Sequence, residues 1–406
     1  MAQMMLGTLI SIGSFLAILT LVVSIHELGH FWAARACGVA VDRFSLGFGK
    51  AIFSWTDKHG VEWRIGRIPI GGYVRFAGDS EASSSLPDGE DLADLRRQIV
   101  AKWGEAAVSQ FFHFKPLWQR AIVVAAGPVA NFILSIIILT ALVSIEGMTL
   151  ITPRLGEVVA QSPAARAGLQ AGDLITALDG RQIESFPEIS DYVRLRTGDP
   201  IKVDYLRQGA ARSAVVTPVR IARKDPVTQK VTYLGAFGVR PSRSPADLHS
   251  VRLQPVRAFV YGVNETYNSV ATTLNYLGRL ITGRESPSQL SSIVGMAQTA
   301  GAVAKAGADS APDLPGKISG VVLDLLYLAA MISTAIGFMN LLPVPVLDGG
   351  HLVFYAYEAI ARRPVEARIQ SASFRIGLAL LLGLMLFATW NDLQQSSLFK
   401  LLGLAT

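Results

Sequence analysis

The chain has 406 residues, half of them hydrophobic and only 17% charged, with a mean hydropathy of +0.38; soluble domains run near about a quarter charged, so a membrane protein is the first class to test. A single cysteine, Cys37, excludes an internal disulfide and a cysteine-rich structural metal site. The net charge of +6 comes without a basic tail or Arg-rich module, which argues against nucleic acid as a partner.

From Met1 to Ile25 no side chain is charged, and the apolar run resumes at Phe31, so residues 1–35 are predicted as a first transmembrane helix. A cleaved signal peptide fits poorly, because a basic leading region is missing and His26-Glu27-Leu28-Gly29-His30 stands where cleavage would occur. Residues 36–118 follow as a membrane-associated region. Within it Val61–Val74 alternates and is punctuated by Gly66, Gly71 and Gly72, which predicts a β-hairpin near 61–76. Its apolar residues could offer an edge to an extended peptide, or the hairpin could be purely structural. Residues 79–105 are acidic and Ser-rich, then helical in pattern.

The uncharged stretch Ala121–Ser144 predicts a second span over 119–145. Residues 151–240 read as a separate α/β module. A short helix at Ala164–Ala167 stops at Gly168, a strand covers Leu174–Leu178, and Asp179-Gly180 turns the chain. A second helix near Phe186–Leu195 and strands at 201–206 and 213–221 complete it. Its Pro163-Ala-x-x-Ala-Gly-Leu-x-x-Gly-Asp-x-Ile175 pattern resembles a PDZ domain, whose groove takes a peptide as an added strand. Over 241–317, Phe259, Val263, Tyr267, Ala271 and Leu274 recur at helical spacing, predicting an amphipathic helix, and 301–316 reads as a linker. A third span is predicted over 318–350, interrupted by Asp324, then a loop over 351–370, a fourth span over 371–391 and a tail over 392–406. Arg362, Arg363, Arg368 and Arg375 follow span three, and Arg35, Arg43, Lys50, Lys58, Arg64 and Arg67 follow span one. Both connections are therefore expected on the cytoplasmic side.

His26, Glu27 and His30 form an HExxH motif. On a helix, positions i and i+4 share a face, so both imidazoles can reach one zinc ion while Glu27 acts on water beside it. Three ionisable groups at the end of an apolar span are costly without a metal or a wet cavity. A catalytic zinc needs a third protein ligand. Span three runs in the same direction as span one, so Asp348 at its end shares the depth of the histidines. Asp324, about 36 Å away along a helix, does not. His351 remains an alternative ligand. Asn131 and Asn340 are amides within apolar runs, suited either to a hydrogen bond near the site or to joining helices.

HELGH near the N-terminus, Gly-Tyr-Val after the hairpin, Gly127-Pro128-x-x-Asn131, and Asn340-x-x-Pro343-x-Pro345-x-Leu-Asp348-Gly349-Gly350 together resemble the site-2 protease family of intramembrane zinc metalloproteases. The bacterial regulator-of-sigma-E branch, with PDZ insertions between spans two and three, is the nearest in pattern. The resemblance implies a four-helix multi-pass membrane protein of the bacterial inner membrane, with a membrane-associated β-hairpin and a periplasmic PDZ domain. It implies His26, His30 and Asp348 as ligands of one zinc ion, Glu27 as general base and Asn340 as an assisting polar group. Gly71, Gly72, Tyr73 and Val74 of the hairpin, with Asn131, are expected to position substrate. Expected substrates are transmembrane proteins, among them an anti-sigma factor already cut once, or remnant signal peptides; the PDZ domain would contact the substrate's periplasmic tail. One departure stands out: a single Ala-Gly-Leu-x-x-Gly-Asp signature is present where familiar members of the branch carry two PDZ domains.

Overall fold

The computed structural model describes residues 2–78, 89–224, 231–242, 244–283 and 292–395. It divides into two compact units. One comprises Met1–Leu139, Gly262–Val270 and Ser292–Asp392, and the other is built around Thr140–Tyr261.

The first unit opens with α1 (Ala2–Ala36), an uninterrupted helix until Gly38 takes φ +68 and releases the chain. Two long strands follow, β1 (Val41–Thr56) and β2 (Glu62–Phe76), paired antiparallel. The pairing is unusual. Phe44 faces both Val74 and Trp63, because β2 folds back and flanks the first half of β1 on both sides. The sheet thus starts at Val41, well before the hairpin expected near 61–76. Apolar burial fixes it to the helices: Phe31, Val41, Phe44, Val61, Phe112 and Val123 share one core. Helix α2 (Gly89–Trp103) leads to α3 (Leu117–Glu146), which carries Pro128 in its interior. Proline lacks an N–H and interrupts the helical ladder there. The acidic segment 79–88 lies outside the described residues.

The second unit runs through β3 (Met148–Ile151), β4 (Leu155–Val158), the short α4 (Pro163–Arg166), β5 (Leu174–Leu178), β6 (Arg181–Gln182), α5 (Phe186–Arg194), β7 (Ile201–Arg207) and β8 (Ala210–Val216). It continues with β9 (Val219–Lys224), β10 (Val231–Ala236), β11 (Val239–Pro241) and β12 (Leu248–Val251). Four strands form one antiparallel sheet in the order β6-β5-β7-β8. The strand expected at 213–221 is two strands, β8 and β9, separated at Thr217-Pro218; without an N–H, Pro218 cannot continue a ladder. Ser162 caps α4 by accepting the Ala165 N–H at 3.1 Å. Leu155, Leu178, Ile189, Ile201, Val203 and Val216 belong to the unit's own core. Arg207 clasps Asp173 through two hydrogen bonds of 2.7 and 2.8 Å.

Helix α6 (Pro255–Ile281) covers the expected amphipathic segment. Helix α7 (Ile293–Asp309) then replaces most of the expected 301–316 linker. The small residues that suggested a linker are packing devices. A Cβ on Gly301 would collide with Ser11 of α1, and one on Gly307 with the backbone at Gly320. That backbone belongs to α8 (Leu314–Asn340), which is separated by seven residues from α9 (Asp348–Ala361). Span three therefore stops at Asn340 rather than 350, and 351–361 is helix rather than loop. Pro343 and Pro345 force the break by removing N–H donors and constraining their predecessors. Helix α10 (Ala367–Gln395) closes the chain. Among the described residues, four helices are long and apolar enough to cross a membrane: Gly7–Ala36, Leu117–Glu146, Leu314–Asn340 and Ala367–Asp392.

Candidate metal centre

The last turns of α1 put His26 and His30 one above the other, as i and i+4 positions must be. The first turn of α9 brings Asp348 to them. Nε2 of His26 lies 3.2 Å from Nε2 of His30 and 3.2 Å from Oδ2 of Asp348, and His30 Nε2 lies 3.6 Å from the same oxygen. Three donors of a tetrahedral zinc, each about 2.0–2.1 Å from the ion, stand about 3.3 Å apart. The triangle therefore fits. Its chemistry fits as well: two imidazoles and a carboxylate make a common catalytic donor set, and Asp348 Oδ2 is buried with no hydrogen-bond partner. Among the described residues this is the one cluster of three such groups able to hold a metal.

Helix α3 forms the back of the site. Gly29 makes its approach possible, because a Cβ there would stand 2.3 Å from the Ala126 carbonyl oxygen. Gly127 makes room for the rings themselves: its Cβ would lie 2.3 Å from His30 Nε2 and 2.9 Å from His26 Cε1. The Val123 carbonyl is 2.9 Å from His30 Nδ1. A carbonyl can only accept, so Nδ1 carries the proton and Nε2 keeps its lone pair for the metal. Glu27 lies on the adjacent face of α1, where Gly72 lets β2 come within reach and the Val74 backbone N–H faces its carboxylate.

A cavity of about 300 Å³ opens over these groups, lined by Glu27, Gly72, Tyr73, Val74, His351 and Phe374 among others. The segment Gly72–Phe76 pairs on one side with Val41–Leu46, and no second strand pairs with it among the described residues. Its other edge is open. Gly71 does not line the cavity; with φ +95 it turns the chain against the Phe48 ring. Asn340 Nδ2 stands 3.5 Å from His26 Nε2. Asn131 has no exposed surface and lies behind His26, away from the cavity lining. His351 lines the cavity without joining the donor triangle, and Asp324 is exposed on α8.

A model of peptidase family M50 matches residues 14–384. The chain belongs to that family of intramembrane zinc metalloproteases. It is 47% identical over 399 residues to the metalloprotease MmpA of Caulobacter vibrioides, covering 98% of this chain and 99% of that protein. It is 40% identical to a putative zinc metalloprotease of Agrobacterium fabrum, over 94% of each chain. The regulator of sigma E protease of Salmonella typhi is 31% identical, covering 96% of this chain and all of that protein. That alignment runs over 488 positions, more than this chain has residues, so the Salmonella protein carries sequence that is missing here. Among solved structures, a PDZ domain of an SdrC-like protein from Listeria monocytogenes is 26% identical, with a TM-score of 0.18, covering 23% of this chain and 90% of that one.

Within this M50 chain, Gly29 and Gly127 stand in the motifs quoted above, but residue patterns alone do not show what their missing side chains admit, nor that the Val123 carbonyl faces His30. The four-residue spacing Val123, Gly127, Asn131 was a usable signal, since it lays one stripe along α3. What that stripe faces becomes visible only when α1 is packed against it.

Proposed function

We propose that His26, His30 and Asp348 hold one zinc ion at which the backbone of another protein's transmembrane segment is hydrolysed. The observation that carries this reading is the donor triangle with edges of 3.2–3.6 Å, sharing its cavity with Glu27 and an open strand edge. A substrate helix protects each peptide bond with its own hydrogen bonds, so it must unwind before it can be cut. The free edge at Gly72–Phe76 supports capture of the unwound stretch as an added strand. Tyr73 and Val74 would then align it, while Gly72 permits close approach to Glu27.

A zinc ion held by the three donors supplies Lewis acidity to the carbonyl under attack. Glu27 takes a proton from the attacking water as its oxygen bonds to the carbonyl carbon. It returns that proton to the amine nitrogen as the C–N bond breaks. Asn340, close to His26 Nε2, is suited to donate an N–H to the carbonyl oxygen as negative charge develops there.

The basic residues after α1 and between α9 and α10 support a cytoplasmic placement of the site in a bacterial inner membrane. The second unit would then be periplasmic. We read it as a PDZ-type module: α5 and the chain at Leu234–Val239 border a groove of about 760 Å³ suited to an extended substrate tail. Single-pass proteins shortened by an earlier cut, anti-sigma factors among them, and remnant signal peptides are the substrate class this arrangement favours.

The test uses full-length protein purified in detergent. Metal analysis should give one zinc per chain, and a model single-span substrate should be cleaved. Glu27→Gln should retain the zinc and lose about 10²–10⁴-fold in rate. A zinc-free wild type rejects the centre, and an undiminished Glu27→Gln rate rejects the base.

A further inference from the structure

The amide of Asn131 faces His26 from the side opposite the donor triangle. Its Nδ2 lies 3.3 Å from His26 Nδ1, and its Oδ1 is buried with no hydrogen-bond partner. If His26 Nε2 is to give a lone pair to a metal, the neutral ring carries its single proton on Nδ1. An N–H would then point at an NH2 group, with an acceptor oxygen stranded alongside. A half-turn of the amide exchanges O and N without changing its shape. It replaces the opposed donors with one hydrogen bond, Nδ1–H to Oδ1.

Resting on the zinc reading above, we propose that Asn131 is a positioning residue for the metal centre: its amide oxygen accepts the His26 Nδ1 proton and holds the ring with Nε2 turned to the zinc. Helix α3 then serves both ligands from one stripe. Val123 accepts from His30, Gly127 four residues on leaves space for both rings, and Asn131 four residues further accepts from His26. The two acceptors differ in kind. One is main chain and present whatever the side chain; the other depends on a single amide. The backbone that carries the amide is tied to α8, where the buried Ser333 hydroxyl donates to the main-chain carbonyl oxygen of Asn131 at 2.8 Å. Gly337 of the same helix leaves room for it, since a Cβ there would be 3.2 Å from the Asn131 Cβ. With no exposed surface, Asn131 cannot touch substrate; it acts through His26.

The test compares zinc affinity, by competition with a chelator, in full-length wild type, Asn131→Leu and Asn131→Asp. Leucine keeps the bulk but offers no acceptor, and should weaken zinc about 10–100-fold. Aspartate keeps an acceptor where the oxygen is proposed and should bind zinc within a few-fold of wild type. The melting temperature of each metal-stripped protein separates this from a packing defect: Leu should lose zinc affinity without a matching loss of stability. Wild-type affinity in Asn131→Leu overturns the proposal, as does Asp losing as much as Leu. A further measurement needs no variant. In Co²⁺-loaded wild type, proton NMR should show two exchangeable, paramagnetically shifted imidazole N–H signals, from His26 and His30. One signal alone overturns the proposal. If the wild type binds neither Zn²⁺ nor Co²⁺, the zinc reading fails first.

Discussion

Gly127 carries a direct steric demand at the metal centre, because its missing Cβ is the space into which two imidazoles pack. Gly127→Ala would put a methyl 2.3 Å from His30 Nε2, so the rings or α3 must move by about an ångström and the donor triangle opens. Zinc affinity should fall at least about tenfold, or ~1.4 kcal/mol, measured by chelator competition. A variant that binds zinc normally would show that α3 yields at little cost. At the far end of the hairpin, Asp57 accepts from the Trp63 indole and from the backbone of His59 and Val61. The Trp63 bond is the main cause holding its carboxyl below the usual range. A carboxyl depressed on folding stabilises the turn above the unfolded value, near about 3.9, and loses that contribution as pH falls through the lower folded value. Protection of the Val61 amide, taken relative to its intrinsic exchange rate, should therefore fall on acidification, and Asp57→Asn should remove that component of the pH dependence.

Helix α9, at 14 residues, carries the third donor of the proposed centre and is itself too short to cross a membrane. Its hold comes from Arg120 of α3, which forms a 2.6 Å ion pair with Glu358 and stands over the Tyr355 ring at 5.0 Å. The pair is largely screened from solvent, so breaking it leaves a poorly solvated charge. Arg120→Met should loosen α9 and weaken zinc binding a few-fold to tenfold, with Glu358→Gln having a smaller effect. Equal zinc affinity in Arg120→Met would make the clamp irrelevant to Asp348. Neither α9 nor its clamp was legible from residue patterns. Apolar residues run on from Val321 to Val346, so periodicity alone cannot tell a continuing span from a break followed by a second helix. The HExxH pair is legible because positions i and i+4 share a helix face. Asp348 is reached in the sequence by counting depth along one continuous span, which the structure replaces with two helices broken at Pro343 and Pro345. The helix through Gly301 and Gly307 differs from the linker expected there for the opposite reason. Small residues look like linkers until the neighbouring helix they admit is present.

At the scale of the molecule, the two units have separate apolar cores. Leu178, fully buried in the second, should cost about 2–5 kcal/mol when replaced by Ala, because a cavity forms among Ile175, Ile189 and Val203. The loss should appear in unfolding of that unit and leave zinc affinity of the full chain unchanged. A coupled loss of zinc would mean the cores are not independent. The donors of the proposed metal site, by contrast, lie at opposite ends of the chain: Asp348 follows His26 by 322 residues. At about 5–20 residues per second, a ribosome needs roughly 15 to 60 s between making the two ends. The histidines are therefore made long before their third partner exists. For that interval the newborn chain lacks its full donor set.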